Sequence, residues 1–342
     1  MAKVVTFGEL MLRLQPYHYE RFVQCDHVEF TFGGGEANVA VSLANFGQDA
    51  SYVTKLPAHA IGQAAVNSLR RYGVDTTKIV RGGSRIGIYF NEKGAAQRGS
   101  VCIYDRAHSA IQEADPAEFD WDAIFEGVDW FHFTGITPAL GPNMVQACED
   151  ACKAAKAKGV KISCDLNYRG KLWTRHQARE AMTKLCRYVD VCISNEEDAK
   201  DVFGIEAEAT DICGGKLNHE GYKSVARQLA DQFGFEMVAI TLRESRSASD
   251  NGWSAMLCNV AKNEFRFSRQ YDVHIVDRVG GGDSFGAGLI YSLLSGKDTQ
   301  SAVEFAAAAS ALKHSIEGEY NMVTVAEVEK LAGGDGSGRI QR

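Results

Sequence analysis

The chain has 342 residues, 45% of them hydrophobic and 24% charged, with a net charge of -7. That length holds one large α/β domain or two ordinary ones, and the composition is that of a soluble globular protein. The acidic balance, with no basic patch interleaved with aromatics, argues against a nucleic-acid surface, and no uninterrupted apolar run could span a bilayer, which leaves no membrane role. The stretch from Met1 to Glu9 has too short an apolar run for a signal peptide. Nine scattered cysteines without a Cys-x-x-Cys pair fit a reduced, cytoplasmic protein with buried thiols such as Cys164, Cys192 and Cys258. Cys148 and Cys152 lie one helical turn apart, too few ligands for a metal, so helix packing accounts for them.

Taken in chain order, Val4-Val5-Thr6-Phe7 reads as a first buried strand. Met11-Leu12-Arg13-Leu14-Gln15 alternates polar and apolar residues and reads as a hairpin strand. Gly33-Gly34-Gly35-Glu36-Ala37-Asn38 is a glycine turn leading into an apolar helix. A helix is predicted for Gly62 to Tyr72, and a second alternating segment runs from Arg85 to Tyr104, with Gly94 and Gly99 as turn points. Buried strands follow at Val128 to Phe133, Val160 to Cys164, Val189 to Ile193 and Met237 to Thr241. Between them fall helical patterns at Pro142 to Lys158, Arg175 to Cys186 and His219 to Phe233. Apolar strands alternating with amphipathic helices predict a mostly parallel sheet with helices on both faces. Ligands of such sheets gather at the carboxyl ends of the strands. The glycine-rich end, 333–342, reads as a flexible tail.

The most informative stretch is Asp277-Arg278-Val279-Gly280-Gly281-Gly282-Asp283-Ser284-Phe285-Gly286-Ala287-Gly288. The apolar spacing beyond it predicts a helix starting near Gly281. Gly280, Gly281 and Gly282 let backbone N–H groups approach an anion, and the helix N-terminus adds partial positive charge, a setting suited to phosphate oxygens. Asp283 is then a carboxylate beside a phosphate site, able to act as base toward an attacking hydroxyl. The helix dipole is expected to lower its pKa. A glycine turn with an ordinary first-turn Asp is the competing reading.

Two such turns, far apart and with the Asp only in the later one, resemble the paired signatures of the ribokinase-like (PfkB) sugar kinases. The resemblance spans Lys3 to Ala332. It implies a single kinase domain over 1–332, with a small β-sheet lid built from segments near 11–32 and 85–110. Arg278 and Val279 depart from the family's usual Thr-x, and Gly281 replaces its Ala. Within the family the chain is most similar to the 2-keto-3-deoxygluconate kinases. That likeness rests on Gly33 to Asn38, Tyr89, the 104–110 segment, Asp165-x-Asn167-x-Arg169-x-x-Leu172-Trp173, Asn195-Glu196-Glu197-Asp198 and the late run 311–321. It implies a sugar acid held by Gly34, Asn38, Tyr89, Tyr104, Arg106 and Arg169. Glu319 falls where these kinases commonly carry an Asp.

Arg169, following a buried strand, can grip a carboxylate or a phosphate, and two arginines suit a substrate carboxylate that a neutral sugar would lack. The residues alone leave alternatives: a solvated surface charge for Arg106, a core or interface aromatic for Tyr89. On the nucleotide side, the resemblance implies ATP contacts at Asn167, Asn195, Thr241 and Arg243. A surface salt bridge is an equal reading of Arg243, and residues 242–252 read as a long polar loop. Mg2+ is expected through water at Glu197 or Asp198, since magnesium keeps few protein ligands. A monovalent cation such as K+ is a further candidate. A homo-oligomer is expected, because the lid sheet often pairs in this family.

No P-loop motif occurs. A nicotinamide dehydrogenase is a competing class, but Gly33-Gly34-Gly35 does not follow the first strand and lacks Gly-x-Gly-x-x-Gly. A non-catalytic sugar-binding regulator is another, opposed by the intact Asp283. Among kinases, fructose, ribose and other sugar acids stay open as substrates.

Overall fold

The structure, a computed structural model, describes residues 1–195, 197–206 and 219–338. Its main sheet has nine strands. From Asp49–Val53 the order runs through Lys3–Phe7, Trp130–Thr134, Lys161–Asp165 and Val191–Asn195 to Met237–Ser245, all parallel. The sheet then turns antiparallel through Asp250–Asn259, which pairs with both Glu264–Phe267 and Tyr271–His274. Parallel strands need covering on both faces, which explains why these segments read as continuous apolar runs. Val4 enters one core and Val5 the other, as the two-residue period of a strand requires.

One core joins the sheet to helices Gly35–Asn45, Gly281–Leu294 and Thr299–Lys313, with Phe285, Leu289 and Ala306 fully buried. The other joins it to Pro142–Ala157, Arg175–Leu185 and His219–Phe233. Cys148 and Cys152 are buried in that second core, and all eight described cysteines are free thiols. Thr174 and Gln177 form a reciprocal capping box that fixes where the Arg175–Leu185 helix begins.

The two alternating segments form a separate four-stranded sheet in the order Glu29–Gly33, Met11–Gln15, Ile88–Glu92 and Val101–Asp105. One expectation needs correction here. Residues 242–252 are no long loop: the strand from Met237 continues to Ser245, and Leu242 to Ser245 pair with Ser254 to Asn251 around a tight hairpin turn. The Met11–Gln15 strand forms as expected, with Arg13 only 1% exposed. Both faces of that strand are covered, so alternation did not mark a solvent side. Of the tail, residues 339–342 lie outside the described residues, as does Glu196.

Candidate active site

A cleft of about 540 Å³ opens between the carboxyl ends of the parallel strands and the lid sheet. Every residue singled out in the sequence as a site candidate lines it. The late glycine turn forms its floor. Gly280 sits at φ +85, a left-handed conformation that glycine adopts without steric cost, and a Cβ there would strike the Glu319 carbonyl. The turn's carbonyls are engaged from behind: Ser284 Oγ donates to Gly280 O at 2.7 Å and Ser310 Oγ to Gly281 O at 2.6 Å. Gly281 has its missing Cβ facing the His314 ring, 2.5 Å away, whereas the same position on Gly282 meets open space. Burial lowers the His314 pKa to about 4, which keeps the ring neutral behind the turn.

The early turn delivers Asn38. Gly34 precedes the helix because any Cβ would collide with the Glu9 carbonyl. Inside that helix Glu36 is buried under donors from Thr134 N (3.0 Å), Thr134 Oγ1 (2.7 Å) and Thr137 Oγ1 (2.6 Å). Burial still lifts its carboxyl to about 7. Asn38 Nδ2 donates to Asp283 Oδ2 at 2.7 Å and to Glu319 Oε2 at 3.0 Å, so the two glycine turns meet at one amide. Asp283 corrects a second expectation. Desolvation in the cleft raises its pKa, and Asn38, Arg169 and Lys313 only partly offset that rise.

Several participants were not proposed from the sequence. Arg13 reaches across from the lid sheet to donate to Asp277 Oδ2 at 2.6 Å, with Glu319 Oε1 at 3.6 Å. Burial alone would lower the Arg13 pKa; Asp277 and Glu319 outweigh it. Asp277 Oδ2 also accepts from Gly318 N, and its Oδ1 from Val279 N, so one carboxylate ties the glycine turn to the 313–319 segment. Glu9, at the end of the first strand, accepts from Arg106 Nε at 2.8 Å and from Ser109 Oγ at 2.6 Å. Arg106 is thus buried and paired, not a solvated surface charge. Arg169 is exposed at the mouth, its guanidinium donating to the Tyr168 carbonyl at 3.1 Å. Tyr89 and Tyr104 are register partners with ring centroids 6.0 Å apart, and the buried Tyr89 hydroxyl has no hydrogen-bond partner.

At the other end, Asn167 adopts φ +39, a left-handed conformation that Asn tolerates better than most residues. Asn195 Oδ1 accepts from Glu197 N at 2.8 Å and Asp198 N at 2.9 Å. The two acidic candidates separate here: Glu197 is exposed, whereas Asp198 is buried with Oδ2 unpartnered and its carboxyl raised by burial to about 6. Thr241 Oγ1 donates to Ser194 O at 3.5 Å, and the Arg243 guanidinium lies over the Trp253 ring, 5.2 Å from its centroid. The lid's tip reaches this side: Ala248 N donates to Ala96 O at 2.8 Å, and Ala96 N to Ser249 Oγ at 2.9 Å. Arg278, where the resemblance departs from the family pattern, donates to the carbonyls of Ser247 and Ala248.

A mostly parallel sheet, a glycine turn opening a helix at the cleft floor and a second small sheet over that cleft are the setting of a small-molecule phosphotransferase, the class that the relatives share. Residues 1–326 match the family model described as pfkB family carbohydrate kinase, and the chain belongs to that family. It is 33% identical over 335 residues to the 2-dehydro-3-deoxygalactonokinase of Haloferax volcanii, with 98% of each chain covered. The solved 2-dehydro-3-deoxygluconokinase of Thermotoga maritima is similar at 52% identity and TM-score 0.93, over 97% of this chain and 98% of that one. A PfkB family carbohydrate kinase structure from Listeria grayi is similar at 35% identity and TM-score 0.89, over 97% and 99%. The family and fold read from the two glycine turns are borne out. Among the described residues no helix is long and apolar enough to cross a membrane.

Proposed function

We propose that this carbohydrate kinase transfers the γ-phosphoryl group of ATP to the primary hydroxyl of a sugar acid, 2-keto-3-deoxygluconate, giving 2-keto-3-deoxy-6-phosphogluconate. The observation that carries the substrate class is the pair of arginines lining the cleft: Arg106, braced by Glu9, and Arg169. The names of the Haloferax and Thermotoga relatives support it. Gly34, Asn38, Tyr89 and Tyr104 would contour the sugar, with the unpartnered Tyr89 hydroxyl free to bond it. Glu319 is held by Asn38 and Arg13, so its role is to fix Asn38 more than to touch sugar.

Asp283 takes the hydroxyl proton as the sugar oxygen bonds to the γ-phosphorus and the bond to the β–γ bridging oxygen breaks, releasing ADP. A raised pKa makes it a stronger base than a dipole-stabilised Asp. The Gly280, Gly281 and Gly282 amides would stabilise charge on the transferring group, as donors aimed at developing charge do. Asn167, Asn195, Thr241 and Arg243 would seat the nucleotide. The lid, latched to the Ser247–Ser249 turn, would exclude water and limit hydrolysis.

The donor set also suits Mg2+. Among the described residues no group of three or more His, Cys, Asp or Glu could ligate a metal. A cation held mostly by phosphates and water needs only a carboxylate such as the unpartnered Asp198 Oδ2. Bound there, the metal would neutralise phosphate charge. Free, buried thiols support a cytoplasmic setting. The exposed apolar side chains of Phe30, Val101 and Ile103 on the lid support a homo-oligomer. An ADP-release screen over sugars and sugar acids tests the assignment. Turnover is expected to be far higher on 2-keto-3-deoxygluconate than on fructose or ribose, with its galactonate epimer as the near competitor. Preference for a neutral sugar would overturn the substrate and leave the kinase class standing.

A further inference from the structure

Lys313, the last residue of the Thr299–Lys313 helix, is 0% exposed and takes no part in the mechanism above. Among the described residues its ammonium makes no ion pair within 4.0 Å. It donates instead to two backbone carbonyls, Ile316 O at 3.2 Å and Asp277 O at 3.4 Å. A buried charge is costly unless its surroundings replace water, and converging carbonyls are what seat a bare monovalent cation. This seat lies directly behind the phosphate turn. Lys313 Cε is 3.3 Å from where a Gly280 Cβ would be, and Asp277 opens the turn. Burial, with Arg13, opposes the charge on the ammonium and Asp277, Asp283 and Glu317 favour it, which leaves the pKa lowered to about 8. The influence is mutual, since Lys313 lowers the Asp283 pKa.

We propose that Lys313 is a built-in cation for the phosphate site, a positioning residue whose ammonium fixes the 277–282 backbone and takes the place of an external monovalent ion. The carbonyls of Asp277, Gly280 and Gly281 are then all held from behind, by Lys313, Ser284 and Ser310. Free K+ has no vacant seat at this position. The inference rests on the phosphate-site reading of the turn and is independent of which sugar is used.

The test follows ADP release by the full-length enzyme with ATP and sugar saturating, in choline buffer and with added KCl or NH4Cl. Wild-type kcat is expected to stay within about twofold across these salts. Lys313→Ala, which empties the seat, is expected to lose roughly ten- to a hundredfold in kcat, a loss typical of groups that orient a reactive shell. Ammonium or K+ should restore much of it, and choline should not. Lys313→Met fills the seat without charge and should be impaired but salt-blind, a contrast that a purely structural role would not produce. A wild type that requires K+, or a Lys313→Ala variant that keeps its activity or ignores small cations, would overturn the proposal. If Lys313→Ala does not fold, the wild-type salt series and Lys313→Met decide it. Gly282→Val with undiminished turnover would instead sink the phosphate-site reading itself.

Discussion

The two glycine turns look alike in sequence and solve different problems in space. Around Gly34 the constraint is proximity: the Glu9 backbone passes so close that no side chain fits, and the backbone conformation is otherwise unexceptional. At Gly280 a conformational constraint is added to a similar close approach: the residue is left-handed, a Cβ would strike the Glu319 carbonyl, and its own carbonyl is held by Ser284. The first turn starts a helix that presents an amide, Asn38; the second starts one that presents an acid, Asp283. They meet at 2.7 Å. A glycine-turn-helix unit is thus a way of bringing a first-turn side chain to a ligand, and the residue it carries decides the chemistry.

The sharpest break of that comparison is Asp283→Asn. It keeps the shape and removes the base, so kcat should fall by roughly 10²–10⁴-fold while ATP affinity, read by calorimetry, is largely intact. A variant within about threefold of wild type would return Asp283 to a helix-start role.

Next in size, Gly282→Val places a side chain in open cleft space and should lower kcat/KM for ATP by about 10²–10³-fold, with little change in melting temperature. Gly34→Ala should do the reverse, since its Cβ meets backbone: a clear loss of thermal stability, with sugar KM raised more than ATP KM. If both variants behave alike, the distinction between a glycine that faces the open cleft and one packed against backbone is lost.

A smaller effect separates the two arginines. Losing one charge-assisted bond to a carboxylate, worth about 1.5–3 kcal/mol, should cost one to two orders of magnitude in kcat/KM for a sugar acid. Arg169→Ala should do so without altering stability, because its guanidinium is exposed. Arg106→Ala also strands the buried Glu9 carboxylate and should destabilise the fold by about 3–5 kcal/mol, which a double variant Glu9→Gln/Arg106→Ala would relieve in part.

The smallest effect concerns pH. Asp283 must be ionised to act, and its folded pKa is raised, so the acid limb of kcat/KM should lie above the ordinary Asp range and activity should fall as pH drops through it. Asn38 stabilises the carboxylate, so Asn38→Ala should push that limb to higher pH. A limb that moves down, or not at all, would detach the early turn from the late one.

Much of this site was legible in sequence because its residues follow glycine turns or strand ends, both visible in pattern. The Gly281 helix and the strands from Met11 and Ile88 needed no tertiary knowledge, whereas most cleft candidates came from the resemblance to the sugar kinases. What stayed hidden was pairing. Nothing in Met-Leu-Arg-Leu-Gln says that Arg13 crosses to Asp277, 264 residues on. Glu9 did carry a signal, an acid at the carboxyl end of the first strand, where α/β ligands gather. Lys313 carried none, since a lysine closing an alanine-rich helix reads as a solvated end. The sign of the Asp283 shift was misjudged because the dipole is local and readable, whereas desolvation by a lid is not.

The most direct test of the account is one ratio: kcat/KM for 2-keto-3-deoxygluconate over kcat/KM for fructose, measured by ADP release in wild type and in Arg169→Ala. The account predicts a ratio far above one in wild type that falls by about one to two orders of magnitude in the variant, because only the acid loses a charged partner. A wild-type ratio below one, or a ratio that Arg169→Ala leaves unchanged while both activities drop together, would contradict it and assign the arginine to the phosphates.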